Sequence, residues 1–206
     1  MIIVNEEHMQ GKTISKEYWE NLYKNNETGW DIGFAAPAIK EYIDQLADKS
    51  LSILIPGCGN AYEAEYLLTQ GFSDVTLIDI VPSLTAALEQ KFGSEVGKRI
   101  RIVRGDFFRH EGSYNLILEQ TFLSALDPSL RSQYVDKMHS LLLEGGHLTG
   151  LLFNKVFEEE GPPYGGTLDE YKKMFEGKFT VKTLEPCYNS IERRKGAEVF
   201  INLINK

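Results

Sequence analysis

The chain has 206 residues, 42% hydrophobic and 25% charged, enough to bury the core of one globular domain and unlike a disordered or coiled-coil chain. Twenty-two Lys and Arg against 30 Asp and Glu leave a formal charge of −8. That balance repels nucleic acid and acidic membrane surfaces unless a local patch reverses the field.

Two cysteines, Cys58 and Cys187, cannot build a disulfide framework, which points to a reducing, cytoplasmic setting. The first dozen residues lack the basic start and long apolar run of a targeting signal, and no stretch approaches the ~18 apolar residues of a membrane span. His8, His110, His139 and His147 lie far apart, without paired spacing to Cys, Asp or Glu, so no metal site is expected. Lys98, Arg99, Arg101, Arg104 and Arg109 alternate with Ile100, Ile102 and Val103 and read as the solvated face of a strand.

In chain order, Ser15 opens a short amphipathic helix with Tyr18, Trp19, Leu22 and Tyr23 at helical spacing. An ordered loop holding Trp30 and Phe34 follows, and Pro37 suits the first turn of the next helix. Residues 1 to 48 are read as a cap on a core of residues 49 to 206, the two making a single domain. Strands are expected at 51 to 56, 74 to 80, 100 to 104, 113 to 120 and 146 to 154. Helices fall between the first and second, the second and third, and the fourth and fifth; the last of these is expected from Asp127 to Leu142. The link from the third strand to the fourth is short for a parallel crossover. After a helix near 168 to 175, two strands without an intervening helix predict a hairpin. The fold expected is α/β, a doubly wound parallel sheet with an antiparallel addition.

Chemistry concentrates where Pro56, Gly57, Cys58 and Gly59 join the first strand to its helix, at the carboxyl edge where such sheets bind ligands. The two glycines permit a sharp turn and a close backbone approach. Asp79 ends the second strand about 20 residues after Gly57, the place of a carboxylate that accepts ribose hydroxyls. Dinucleotide fingerprints carry Gly or Ala where this chain has Tyr62, and there is no phosphate-cradling P-loop. S-adenosylmethionine, an adenosine without phosphate, is left as the better match. Asp106 and Phe107 follow the third strand, where an acid can accept from an adenine amino group and an aromatic ring can pack on the base. Trp19, Tyr23 and Trp30 can offer aromatic faces to a sulfonium cation.

Together, Trp19, Tyr23, Trp30-Asp31-Ile32-Gly33 with Pro37, residues 56 to 59, Asp79-Ile80, Asp106-Phe107 and Gly161-Pro162-Pro163-Tyr164 resemble the thiopurine S-methyltransferase superfamily, closest to its thiol/halide branch. The resemblance implies a class I S-adenosylmethionine-dependent methyltransferase fold, Rossmann-like, with seven mostly parallel strands and an antiparallel last strand. It implies cofactor contacts from Trp19, Tyr23, Trp30, Gly57, Gly59, Asp79, Ile80, Asp106, Phe107 and Gln120. Phe34, Tyr164 and Arg193 are acceptor-side candidates. Related enzymes often carry tyrosine where Gln120 stands. The implied acceptor is a small soft nucleophile: a thiol, thiocyanate, bisulfide, halide or thiopurine. No general base is assigned, because soft nucleophiles need alignment more than proton removal. Arg193, Arg194 and Lys195 could lower a thiol pKa if they fold over the site. The competing readings are an NAD-dependent oxidoreductase and a non-catalytic cofactor-binding protein. Nothing in the sequence indicates an oligomeric state.

Overall fold

A computed structural model describes residues 14–158 and 160–206; the amino-terminal expectation and His8 lie outside them. The first 48 residues contribute α1 (Lys16–Lys24) and α2 (Pro37–Asp44). Ser15 caps α1 by accepting from the Tyr18 N–H at 3.2 Å, and Pro37 occupies the first turn of α2, where a missing N–H costs nothing. From residue 52 the elements are β1 (Ser52–Pro56), α3 (Tyr62–Thr69), β2 (Asp74–Asp79), α4 (Pro82–Phe92), β3 (Ile100–Arg104) and β4 (Tyr114–Gln120). They continue with α5 (Phe122–Ala125), α6 (Arg131–Leu141), β5 (Leu142–Phe153), α7 (Leu168–Phe175), β6 (Phe179–Pro186) and β7 (Glu198–Asn205).

All seven strands join one sheet in the order β3-β2-β1-β4-β5-β7-β6, parallel except for β7, which pairs antiparallel with β5 and β6. The expected hairpin therefore forms the margin of the sheet, with β7 inside and β6 outside. Period-two alternation divides the core into two layers. Ile53, Ile55, Val75, Leu77, Leu116 and Leu118 face the cluster that includes α2, α3 and α4. Leu54, Ile78, Ile117 and Leu148 face the cluster that includes α6 and α7. Each such buried aliphatic side chain contributes about 1.5–3 kcal/mol. β3 is a margin strand whose outward Arg101 and Arg104 are exposed, the charged alternation that discourages pairing with another chain.

Residues 105 to 113 connect β3 to β4 through one 3₁₀ turn, Phe107–Arg109. Extended, they reach about 30 Å. The crossing needs roughly 17 Å along a strand and 14 Å across three strand spacings. No helix is required. Two expectations shift: Asp127 caps a 3₁₀ turn at Pro128–Leu130, so α6 begins at Arg131, and β5 starts at Leu142 rather than 146. The four-residue α5 is too short to leave a periodic signal. Among the described residues no helix is long and apolar enough to cross a membrane.

Candidate active site

The strand order reverses between β1 and β4, so the loops after β1, β2, β3 and β4 converge at one carboxyl edge. There they line a cavity of about 600 Å³, inside the range of small-molecule sites. Gly57 and Gly59 have φ of +54° and +51°, left-handed backbone that only glycine adopts without strain. A Cβ on Gly57 would lie 2.3 Å from Phe122 Cδ2, so the turn and the residue after β4 interlock.

Asp79 is 9% exposed and aims into the cavity from the end of β2. Its Oδ1 accepts from the Val81 N–H at 3.0 Å and its Oδ2 from the Gly59 N–H at 3.3 Å, which orients both oxygens. Burial pushes this carboxyl above its ordinary value, the three nearby N–H groups opposing the rise. The Tyr23 hydroxyl is pushed up by burial and by the charge of Asp79.

Helix α1 and the loop after it supply an aromatic wall. Trp30 packs edge-on to Trp19 at 5.4 Å and to Tyr23 at 5.7 Å between ring centroids. The loop carrying Trp30 is tied down at several points. Arg194 donates to the Trp30 carbonyl at 2.6 Å and Arg193 to the Asp31 carbonyl at 2.7 Å. The Asp31 carboxylate accepts from Asn60 and from Tyr62, and buried Glu63 accepts from the Ala36 N–H at 3.0 Å. Arg194 also pairs with Glu198 at 3.2 Å, both side chains almost wholly buried, and lies over the Phe153 ring. The opposite wall is apolar, built from Phe107, Phe108, Phe122, Phe153, Phe157 and the Pro162-Pro163 segment.

Of the residues expected at the site, Trp19, Tyr23, Trp30, Gly57, Asp79, Ile80, Asp106, Phe107 and Arg193 line the cavity. Four do not. Gly59 uses its N–H on Asp79 and stands behind the Tyr23 hydroxyl. Gln120 shares a sheet face with Leu116 and Leu118 and lines a separate narrow crevice with Ile32, Ala36 and Arg194. Phe34 is 51% exposed, because the turn closed by the Gly33 N–H on Asp31 at 2.6 Å directs the chain outward. Tyr164 stands outside the lining; its backbone N–H ties the neighbouring prolines to Ser124 at 2.7 Å. Phe107 is 5% exposed and stacks edge-on against Phe122 at 4.9 Å, so its ring forms the floor. Asp106 accepts from the Phe108 N–H at 2.9 Å, serving its turn while it lines the cavity.

Phe122, Phe108 and Phe153 are site residues that sequence reasoning did not select, and Arg194, named there only with its neighbours as a source of positive charge, lines the cavity too. Phe122 follows the carboxyl end of β4, and that position was the available signal. Among the described residues no group of three or more His, Cys, Asp and Glu could hold a metal ion, and no His, Cys or Lys lines the cavity.

A family profile described as thiopurine S-methyltransferase matches residues 14–202. Probable thiol methyltransferase 2 of Arabidopsis thaliana is 29% identical over 159 residues, 76% of this chain and 70% of that protein. Thiocyanate methyltransferase 1 of Brassica oleracea is 27% identical over 190 residues, 91% of this chain and 84% of that protein. Among solved structures, the 1,6-didemethyltoxoflavin-N1-methyltransferase of Burkholderia thailandensis, bound to 1,6-didemethyltoxoflavin and S-adenosylhomocysteine, matches with a TM-score of 0.74. At 19% identity, covering 93% of this chain and 87% of that one, it is a likeness of fold.

Proposed function

The chain belongs to the thiopurine S-methyltransferase family and is an S-adenosylmethionine-dependent methyltransferase, and from that premise we propose that its acceptor is a small soft nucleophile, a thiol first. The observation that carries this reading is the cavity wall, which is mostly aromatic and aliphatic, with carboxylates at Glu27, Asp79, Asp106 and Asp127, and which among the described residues holds no histidine, cysteine or lysine. Such a wall suits an acceptor that attacks without strong general-base help. Membership in this family sets aside the oxidoreductase alternative.

The residues present fit S-adenosylmethionine. Asp79 has both oxygens oriented at a strand end, and Gly57 brings bare backbone to the cavity lining beside it. Bound there, the cofactor supplies an electrophilic methyl group on a sulfonium sulfur. The protein's share is binding, alignment and exclusion of water. Asp79 accepts from the ribose, and Trp19, Tyr23 and Trp30 present ring faces and edges beside the cation, worth about 0.5–2 kcal/mol when desolvated. Arg193 and Arg194 hold the aromatic loop in place; the charge of Arg194 is paired with Glu198, while Arg193 brings positive charge to the lining, which favours the anionic form of an acceptor. The acidic surface and the two buried, unpaired cysteines support a small-molecule acceptor in a reducing cytoplasm.

The test is a panel of thiols of graded acidity, with thiocyanate, bisulfide, iodide and thiopurines, assayed with methyl-labelled cofactor. For each thiol the rate should climb with pH until its own sulfur is ionised and then level. Methyl transfer confined to amines or oxygen acceptors would falsify the soft-nucleophile assignment.

A further inference from the structure

The carboxylate one residue before the end of β4 has no part in the reading above, yet it organises a wall of the cavity. Glu119 is 0% exposed and does not line the cavity. Its Oε1 accepts from the N–H groups of Phe122 at 2.7 Å and Leu123 at 3.1 Å, and its Oε2 accepts from the Tyr134 hydroxyl of α6 at 2.6 Å. Every bond it makes is with a donor. The intervening Thr121 has φ of +64°, a conformation uncommon outside glycine, which persists where neighbouring contacts over-determine it. Those contacts are the two N–H bonds to Glu119 and the Ser124 hydroxyl on the Thr121 carbonyl at 2.6 Å.

The held turn places Phe122 where it matters most. Its ring fills the space beside Gly57, meets Phe107 at 4.9 Å and packs near Tyr134. Thr121, Phe122, Ser124, Ala125 and Leu126 all line the cavity, and the Ser124 carbonyl anchors the segment bearing Pro162 and Pro163 through the Tyr164 N–H. The surface between the cofactor turn and the acceptor side thus depends on one side chain outside it.

Resting on the methyltransferase reading, we propose that Glu119 is a positioning residue for methyl transfer: its reach across the β4 turn fixes Phe122 against Gly57 and so sets the alignment of the bound acceptor. Reach and charge separate cleanly. Glutamine keeps the length and one oxygen for the two N–H groups, while Tyr134 turns its hydroxyl to accept from the amide. Above about pH 7, where the Glu119 carboxyl is ionised, aspartate keeps the charge and draws the oxygens back by one methylene, out of range of Phe122 and Leu123.

The experiment compares wild type, Glu119→Gln and Glu119→Asp, each with 4-fluorophenylalanine in place of Phe122. It reads the fluorine resonance, S-adenosylhomocysteine binding, melting temperature and kcat and KM for a thiol. Glu119→Asp is expected to move or broaden the resonance and lower kcat/KM on the order of 10- to 100-fold, the effect of misplacing a reacting geometry. Glu119→Gln should keep the resonance sharp and near its wild-type position, with kcat/KM within about threefold, the loss of charge assistance alone. A merely structural role predicts loss of folded protein in both variants with an unmoved resonance in what remains folded. That result, or equal impairment by glutamine and aspartate, overturns the proposal. If Glu119→Asp does not fold, a glutamine variant with a displaced resonance or a tenfold loss is sufficient to overturn it, and an undisturbed one upholds it. If no thiol is methylated by any form, the acceptor assignment fails while the fluorine spectra still decide the role of Glu119.

Discussion

Replacing Asp79 with alanine tests the cofactor site at its buried strand-end carboxylate. The carboxylate is 9% exposed and held by the Val81 and Gly59 N–H groups at 3.0 and 3.3 Å, so each oxygen keeps lone-pair capacity for the cavity. Hydrogen bonds to a charged acceptor contribute about 1.5–3 kcal/mol each. Two ribose hydroxyls then amount to about 3–6 kcal/mol, or roughly two to four powers of ten in affinity. The same substitution leaves two backbone N–H groups without their partner, a destabilisation of about 1–3 kcal/mol apiece if water does not reach them. Calorimetric titration with S-adenosylhomocysteine measures the first effect and thermal unfolding the second. Asp79→Asn, which retains one oxygen and loses the charge, should fall between alanine and wild type in affinity. A cooperatively folded Asp79→Ala protein whose affinity stays within about threefold of wild type refutes the assignment of Asp79 to the ribose.

Gly57→Ala should lower both melting temperature and S-adenosylhomocysteine affinity. The left-handed backbone disfavours a side chain by about 1–2 kcal/mol, and the 2.3 Å approach to Phe122 adds about 1–3 kcal/mol of overpacking; an unchanged melting curve contradicts this. Arg194→Met leaves Glu198 buried without its partner and releases the Trp30 carbonyl, for a loss of about 3–5 kcal/mol in a denaturant melt and a weakened cofactor site. A stability change below about 1 kcal/mol would show the pair to be dispensable. Burial pushes Glu119 up to about 7 from 4.5, so in the folded state it holds its proton over a range where the unfolded chain has released it. Its contribution is fullest below pH 4.5 and is lost as pH rises toward 7. Relative to Glu119→Gln, wild type should therefore lose on the order of 1.4 kcal/mol per pH unit across that window, measured by urea unfolding. A flat difference means that Glu119 titrates normally.

Much of the architecture was legible because it rests on local rules. Buried strands alternating with amphipathic helices gave the parallel sheet, and strands 179–186 and 198–205, joined through a single 3₁₀ turn and no α-helix, gave the antiparallel pairing. Gly57 and Asp79 were legible because a glycine turn and a strand-end carboxylate mark the carboxyl edge wherever such a sheet forms. Trp19, Tyr23 and Trp30 were candidates for their aromatic faces, and the resemblance added weight, since an aromatic residue looks the same in a core as in a binding wall.

What stayed hidden depends on which face a residue takes once distant segments meet. Gln120 and Glu119 are adjacent, yet the two-residue period sends one beneath Ile32 and Ala36 and the other to Tyr134. Phe34 was an acceptor-side candidate, but the turn at Asp31 directs it outward. Arg193 and Arg194 are indistinguishable as neighbours in sequence; burial against Glu198 and the Trp30 carbonyl separates them. The amino-acid sequence by itself determined the order of elements, the edge where ligands meet the sheet and the chemistry available there, because propensity, periodicity and turn geometry act over a few residues. Only the tertiary structure decided that Phe122 rests on Gly57 and that Glu119 holds it there. Those contacts join β1, β4 and α6, segments that become neighbours only when the hydrophobic layers on both faces of the sheet have packed.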